Sequence, residues 1–186
     1  IKMTSTLEQL KPEIEAHIRS VKDFPKKGID FRDIMPLMRQ PQLVGRLCSA
    51  IADHIKERGG VQVVVGLEAR GFLFGPQVAQ LLNVPFVPIR KQGKLPGECV
   101  AASYAKEYGV DIVEVQKDAI APGDRVLIID DLIATGGTLA ASVDLMQKVG
   151  GTVVEAFVII ELAGLDGRSK LPSSLNLYSL ITYPGA

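Results

Sequence analysis

Apolar positions along the chain follow two rhythms. Leu7, Leu10, Ile14, Ile18 and Val21 recur every three or four residues, which predicts an amphipathic helix from Ser5 to about Val21. Pro12 interrupts that stretch, and since proline is best tolerated in a first turn, the helix can instead start near it. Leu43, Leu47, Ile51 and Ile55, with Val44 beside them, predict a helix over Pro41–Arg58 that Gly59 and Gly60 end. A further helical pattern covers Phe72–Leu82. Another follows Thr138, with Leu139, Val143, Met146 and Val149 on one face and Gly150-Gly151 as its stop. The second rhythm is the short unbroken apolar run. Val61–Val65, Val84–Ile89, Val126–Ile129 and Val153–Ile160 fit strands covered on both faces, and Leu175–Ile181 is expected to be the last strand. Strands alternating with helices predict an α/β fold with a mostly parallel twisted sheet and helices on both faces.

Three segments are less regular. Phe24–Pro36 reads F-P-K-K-G-I-D-F-R-D-I-M-P, a loop whose aromatics and Arg32 either close over a flat ligand or pin it to the core. Leu95–Tyr108 is expected to form a mobile flap or an extended hairpin, with a strand following at Val110–Val115. Ala121-Pro122-Gly123-Asp124 is a turn, and Gly164–Lys170 a short helix.

Composition narrows the class. The 186 residues fit one domain, 47% hydrophobic and 23% charged, which is ordinary for a water-soluble core-forming chain. Twenty-one basic residues balance 21 acidic ones, which argues against a general nucleic-acid binder. No apolar run is long enough to span a bilayer, and the N-terminus does not read as a secretion signal. Cys48 and Cys99 form no metal or redox motif and suit a reducing cytoplasm. His17 and His54 are isolated, so a histidine metal site or a Ser-His-Asp triad is not expected.

The candidate chemistry lies at strand ends. Val126–Ile129 is followed by Asp130-Asp131 and then by Ala134-Thr135-Gly136-Gly137-Thr138, ahead of a helix. Backbone N–H groups of such a turn, together with a helix N-terminus, make an anion site, and the threonine hydroxyls add donors. Carboxylates beside a phosphate cradle suit the vicinal hydroxyls of a sugar, so the stretch reads as a ribose 5-phosphate site. It is neither a Walker loop nor a dinucleotide fingerprint. Two more strand ends carry Gly66-Leu67-Glu68-Ala69-Arg70-Gly71 and Arg90-Lys91-Gln92-Gly93-Lys94. Parallel strands put all three on one rim. Cations there suit a sugar with a second, pyrophosphate substituent, with Mg²⁺ held mainly by substrate oxygens and water and no protein metal cage.

The stretch V-L-I-I-D-D-L-I-A-T-G-G-T resembles the phosphoribosyl pyrophosphate signature of the type I phosphoribosyltransferase family. F-P-K-K-G-I-D-F-R-D-I, G-L-E-A-R-G-F-L-F-G-P, I-R-K-Q-G-K-L-P-G and S-Y-A-K-E-Y-G extend the resemblance to the adenine-using branch over nearly the whole chain. The resemblance implies the type I fold over residues 1–186, with a small hood at about 22–38 and a flexible loop. It implies a reaction giving AMP and pyrophosphate from adenine and phosphoribosyl pyrophosphate. By the same resemblance Asp130 and Asp131 hold the ribose hydroxyls, and Ala134, Thr135, Gly136, Gly137 and Thr138 hold the 5′-phosphate. Glu68, Ala69, Arg70, Lys91 and Lys94 face pyrophosphate, with Arg90 beside them at a homodimer contact. Phe31 stacks on adenine, Arg32 helps form its pocket, the Asp30 backbone meets its edge and Leu162 packs on its other side. Glu107 assists proton transfer and Tyr108 closes the site, while Arg70 and Lys91 act on the leaving group. A non-proline cis peptide is implied at Glu68-Ala69. Asp30 stands where an apolar residue is common, so an inward-turned carboxylate would alter base choice. Two other functions share these features: transfer to another purine, and non-catalytic sensing of the sugar pyrophosphate on the same fold.

Overall fold

The computed structural model describes residues 6–105 and 109–185. Helix α1 (Leu7–Glu15) is opened by Thr6, which exchanges hydrogen bonds with Gln9 in a capping box. That cap sets the start ahead of Pro12, which lies inside the helix rather than at its head. The helix also ends early: Ile18 and Val21 leave it, and Arg19–Lys22 forms strand β1. Its partner β2 (Asp30–Asp33) falls within the segment read as a loop, with Val21 opposite Phe31 and Arg19 opposite Asp33. Five or six residues of apolar spacing do not separate a last helical turn from a short strand; a partner strand eleven positions on decides it. The link between the two strands turns on a cis Phe24-Pro25 bond and on positive φ at Asp23 and Gly28.

Helix α2 (Met35–Met38) is followed by α3 (Pro41–Glu57), whose Leu43, Leu47, Ile51 and Ile55 are buried as the four-residue spacing requires. Fully burying side chains of this kind contributes about 1.5–3 kcal/mol each, so this face fixes α3 to the sheet. Strand β3 (Val63–Leu67) leads into a 3-10 turn, Arg70–Leu73, and then α4 (Gly75–Leu82). One expected helix is thus two pieces. The chain continues through β4 (Phe86–Lys91), β5 (Cys99–Ala105), β6 (Val110–Gln116), β7 (Arg125–Ile133), α5 (Gly137–Lys148), β8 (Thr152–Leu162) and β9 (Leu177–Tyr183). β5 and β6 pair antiparallel from Cys99–Gln116 to Ala105–Val110, which is the hairpin alternative for that segment. Gly164–Lys170 holds two 3-10 turns, Ala163–Leu165 and Gly167–Lys170, rather than one helix.

The main sheet has the order β5-β6-β4-β3-β7-β8-β9. From β4 to β9 all neighbours are parallel, and β6 and β5 run antiparallel at one edge. Period two divides the inner strands between two cores. Val64, Leu127 and Ile129 face α1, α3 and α4, whereas Val63, Val65, Val126 and Ile128 face α5 and the β5–β6 hairpin. Among the described residues no helix is long and apolar enough to cross a membrane.

Candidate active site

The carboxyl ends of β3, β7 and β8 lie side by side, and the chain leaves each by a tight turn. After β3 the Glu68-Ala69 peptide is cis. Gly71 then passes so close to β7 that a Cβ on it would stand 2.5 Å from the Ile129 carbonyl oxygen. Only glycine allows that approach, and it sets Arg70 against the acidic pair. Arg70 Nε lies 2.9 Å from Asp131 Oδ2, and the guanidinium sits 5.4 Å from the centre of the Phe31 ring.

β7 does not stop at Ile129. It runs on to Ile133, so Asp130 and Asp131 are inside a strand and not in the turn after it. The reason is a ladder with β8 that continues through Leu132–Ile160 and Ile133–Glu161. Asp131 is 2% exposed. Its Oδ2 faces Arg70 off the N–H direction and, with Arg32 Nε, is one of two buried side-chain polar atoms lacking a hydrogen bond among the described residues. Burial pushes Asp130 well above the usual carboxylate range, and the adjoining Asp131 charge pushes the same way. Burial raises Asp131 as well, against the opposing pull of Arg70. The pair is therefore costly to keep ionised without cations or hydroxyl donors in front of it.

The turn beyond β7 is partly helix already. α5 begins at Gly137, capped by Gly136 at φ +79, so Gly137 and Thr138 belong to its first turn. Their N–H groups have no partner one turn back and point out of the helix end, where the macrodipole also favours an anion. The Thr138 hydroxyl donates to Tyr104 Oη at 2.9 Å, and Tyr104 Oη donates in turn to Asp111 at 3.2 Å. Tyr104 is a contact the sequence reading missed; no local pattern links a hairpin residue to a helix start so distant in the chain. Residues 130–139 form one wall of a cleft of about 480 Å³, and Glu68, Ala69 and Arg70 form the other. A second cavity, about 420 Å³, lies at the opposite ends of the strands beside Asp53, His54 and Tyr178 and holds none of these elements.

The other expected site residues are placed around this cleft rather than in it. Arg90 grips Glu68 through Nε and Nη2, both at 3.1 Å, which holds the Glu68 carboxyl below its ordinary range, and Arg90 also donates to the Lys94 carbonyl. The Lys91 N–H donates to the same carboxylate. The β1–β2 hairpin stands over the ends of β8 and β9: Arg32 lies 4.2 Å from the centre of the Tyr183 ring, and Tyr183 is registered with Leu162. Phe31 faces Arg70, whereas Asp30 and Arg32 alternate onto the other face of β2. The Asp30 carboxylate is taken by Ser20 and, at 3.0 Å, by Arg32. Its charge is thus answered within the hairpin. Glu107 and Tyr108 lie outside the described residues.

A phosphoribosyl transferase domain model matches residues 37–179. The chain is 66% identical over 180 residues to the adenine phosphoribosyltransferase of Caenorhabditis elegans, covering 96% of this chain and 97% of that one. It is 49% identical to that of Yarrowia lipolytica, covering 89% and 93%. Among solved structures, the adenine phosphoribosyltransferase of Saccharomyces cerevisiae, complexed with an imino-altritol bisphosphate and adenine, superposes with a TM-score of 0.88 at 44% identity, covering 92% and 98%. The Trypanosoma brucei adenine phosphoribosyl transferase, in complex with AMP, pyrophosphate and ribose-5-phosphate, superposes at 0.85 with 29% identity, covering 93% and 79%.

Proposed function

The chain belongs to the phosphoribosyl transferase family, and from that membership we infer that it is an adenine phosphoribosyltransferase. It transfers the 5-phosphoribosyl group from phosphoribosyl pyrophosphate to adenine, giving AMP and pyrophosphate, a step of purine salvage. The observation that carries the reading is the single cleft in which Arg70 meets Asp131 beside the open N–H groups of α5. Relatives that bind adenine with a bisphosphate, or AMP with pyrophosphate and ribose-5-phosphate, support it.

The roles follow from the chemistry of the displacement. The 5′-phosphate takes the N–H groups and hydroxyls of Ala134–Thr138. The ribose hydroxyls donate to Asp130 and Asp131, which answers the Asp131 oxygen left without a hydrogen bond and the two charges that burial makes costly. The bond from the anomeric carbon to pyrophosphate breaks as the adenine nitrogen bonds to that carbon, and the base loses a proton. Positive charge grows on the ribose, so binding the leaving group and fixing the base supply most of the rate. Arg70 and Lys91 hold pyrophosphate, aided by Lys94, with Glu68 fixing Arg90 beside them. Adenine lies against Phe31, with Leu162 on its other face, Arg32 at the pocket and the Asp30 backbone at its edge. Glu107 takes the proton, and Tyr108 closes the site. Mg²⁺ would be held mainly by substrate oxygens and water, with no protein metal cage, and the buried carboxylates Asp130 and Asp131 beside the site suit a hard cation nearby. When bound, Mg²⁺ supplies charge neutralisation of the leaving group. A cytoplasmic homodimer completes the proposal: family membership and the basic Arg90–Lys94 segment support the dimer, and two free cysteines suit a reducing compartment; a monomeric mass by light scattering under assay conditions would remove the dimer.

The test is a chromatographic assay of the purified protein with the sugar pyrophosphate, magnesium and, in turn, adenine, hypoxanthine and guanine. AMP formed from adenine faster than either competitor reacts is the expected outcome. No AMP overturns the reading. Glu107→Ala is expected to slow the chemical step about 10²-fold or more while sugar pyrophosphate binding persists; unchanged turnover would remove Glu107 from the mechanism.

A further inference from the structure

Behind the phosphate cup lies a second turn that the reaction itself does not use. Gly167 opens the 3-10 turn Gly167–Lys170 and packs backbone to backbone against the cup. A Cβ on Gly136 would stand 2.2 Å from the Gly167 carbonyl oxygen. A Cβ on Gly167 would stand 2.3 Å from the Ala134 carbonyl oxygen and 3.0 Å from the Gly136 nitrogen. Neither segment can shift without moving the other, because packed backbone has no flexible side chain to absorb the change.

The residue next to Gly167 is held unusually firmly. Arg168 Nε donates to Glu161 Oε1 at 2.6 Å and its Nη2 to Oε2 at 2.7 Å, a two-point fork. The same guanidinium donates to Ser179 Oγ at 2.6 Å and to the Leu177 carbonyl at 3.2 Å. Glu161 is buried at the end of β8, and Ser179 donates to it from β9. Arg168 thereby ties the turn to two sheet strands at once, within one residue of the contact that shapes the cup.

We propose that Arg168, forked onto Glu161, is a positioning residue that presses Gly167 against Gly136 and so fixes the 5′-phosphate cup. The inference rests on the ribose-phosphate assignment above. Its prediction is selective. Loosening the strut impairs binding of a 5′-phosphate but not of pyrophosphate, whose side of the cleft is built by β3 and β4. Calorimetry on wild type and Arg168→Ala with ribose 5-phosphate and with pyrophosphate, each alone, separates the two. Ribose 5-phosphate affinity is expected to fall about tenfold or more, as misplacing a binding group by a fraction of an ångström does. Pyrophosphate affinity is expected to stay within about twofold, since sites without shared partners act independently. In steady state, the KM for phosphoribosyl pyrophosphate rises while that for adenine holds. Unchanged ribose 5-phosphate affinity, or an equal loss for both probes alongside a lower Tm, overturns the proposal. If Arg168→Ala does not fold, Arg168→Lys, which keeps the charge without the fork, is judged on the same two affinities. Failure of wild type to bind ribose 5-phosphate would instead count against the site assignment.

Discussion

At the residue scale the acidic pair costs stability in the place proposed for the ribose hydroxyls. The folded chain holds a proton at Asp130 more tightly than the unfolded chain does, because burial and Asp131 raise its pKa. A carboxyl raised in this way contributes its full stabilisation below the ordinary unfolded-state pKa, and that contribution is lost as pH rises from there through the higher folded-state pKa. Asp130→Asn is therefore expected to raise Tm at neutral pH, with the gap to wild type shrinking in acid, and to weaken binding of phosphoribosyl pyrophosphate. Thermal unfolding across pH, paired with calorimetry, checks both signs; a neutral-pH Tm below wild type contradicts the argument. Gly136 is constrained differently. Alanine there meets a positive φ and the Gly167 carbonyl together, so Gly136→Ala is expected to cost about 2 kcal/mol or more in urea unfolding and to abolish ribose 5-phosphate binding.

At the element scale the β1–β2 hairpin is a separable unit, the one proposed to hold the base. Asp33 holds it to the start of α2, accepting from Arg19 Nη2 at 2.5 Å and from the Met35 N–H at 2.9 Å. Phe31→Ala leaves those ties intact, so it is expected to raise the KM for adenine about tenfold or more with little change in that for the sugar, as removing a stacked ring does. Equal effects on both substrates would contradict it. This hairpin also shows where sequence reading runs out. Long single-rhythm elements such as α3, α5 and the inner strands were legible because burial follows their period. β1 and β2 are four residues each, and their pairing is a fact about two segments rather than about either. The acidic pair and the glycine-threonine turn were legible as a cluster. Their division into strand and helix was not, because the ladder from β7 to β8 and the helix start at Gly137 depend on contacts with distant chain. Arg168 in a short charged stretch looks like any surface arginine until Glu161 is seen opposite it.

At the scale of the whole molecule the two ends of the sheet do different work. Away from the cleft, Glu155 is 1% exposed and receives His54 at 2.7 Å, Arg58 at 3.0 Å and Asn176 at 2.5 Å, joining α3 to β8 and the approach to β9. Removing the carboxylate strands those donors. Glu155→Ala is expected to lower unfolding free energy by about 2 kcal/mol, less than the 3–5 of a fully buried pair because Arg58 can turn to water. Turnover of the folded fraction should hold; a large loss of kcat without loss of stability would mean the ends are coupled.

The strand order has a consequence for how the molecule comes into being. β3 is made early, yet its place is between β4 and β7, and Arg70 meets Asp131 only once that later strand has been inserted. A nascent chain halted before β7 emerges from the ribosome would carry the Arg70 turn and the β1–β2 hairpin with nothing to face them. Affinity for the sugar should therefore appear all at once during synthesis, after β7, α5, β8 and β9 have been added, and not grow by increments as the chain lengthens.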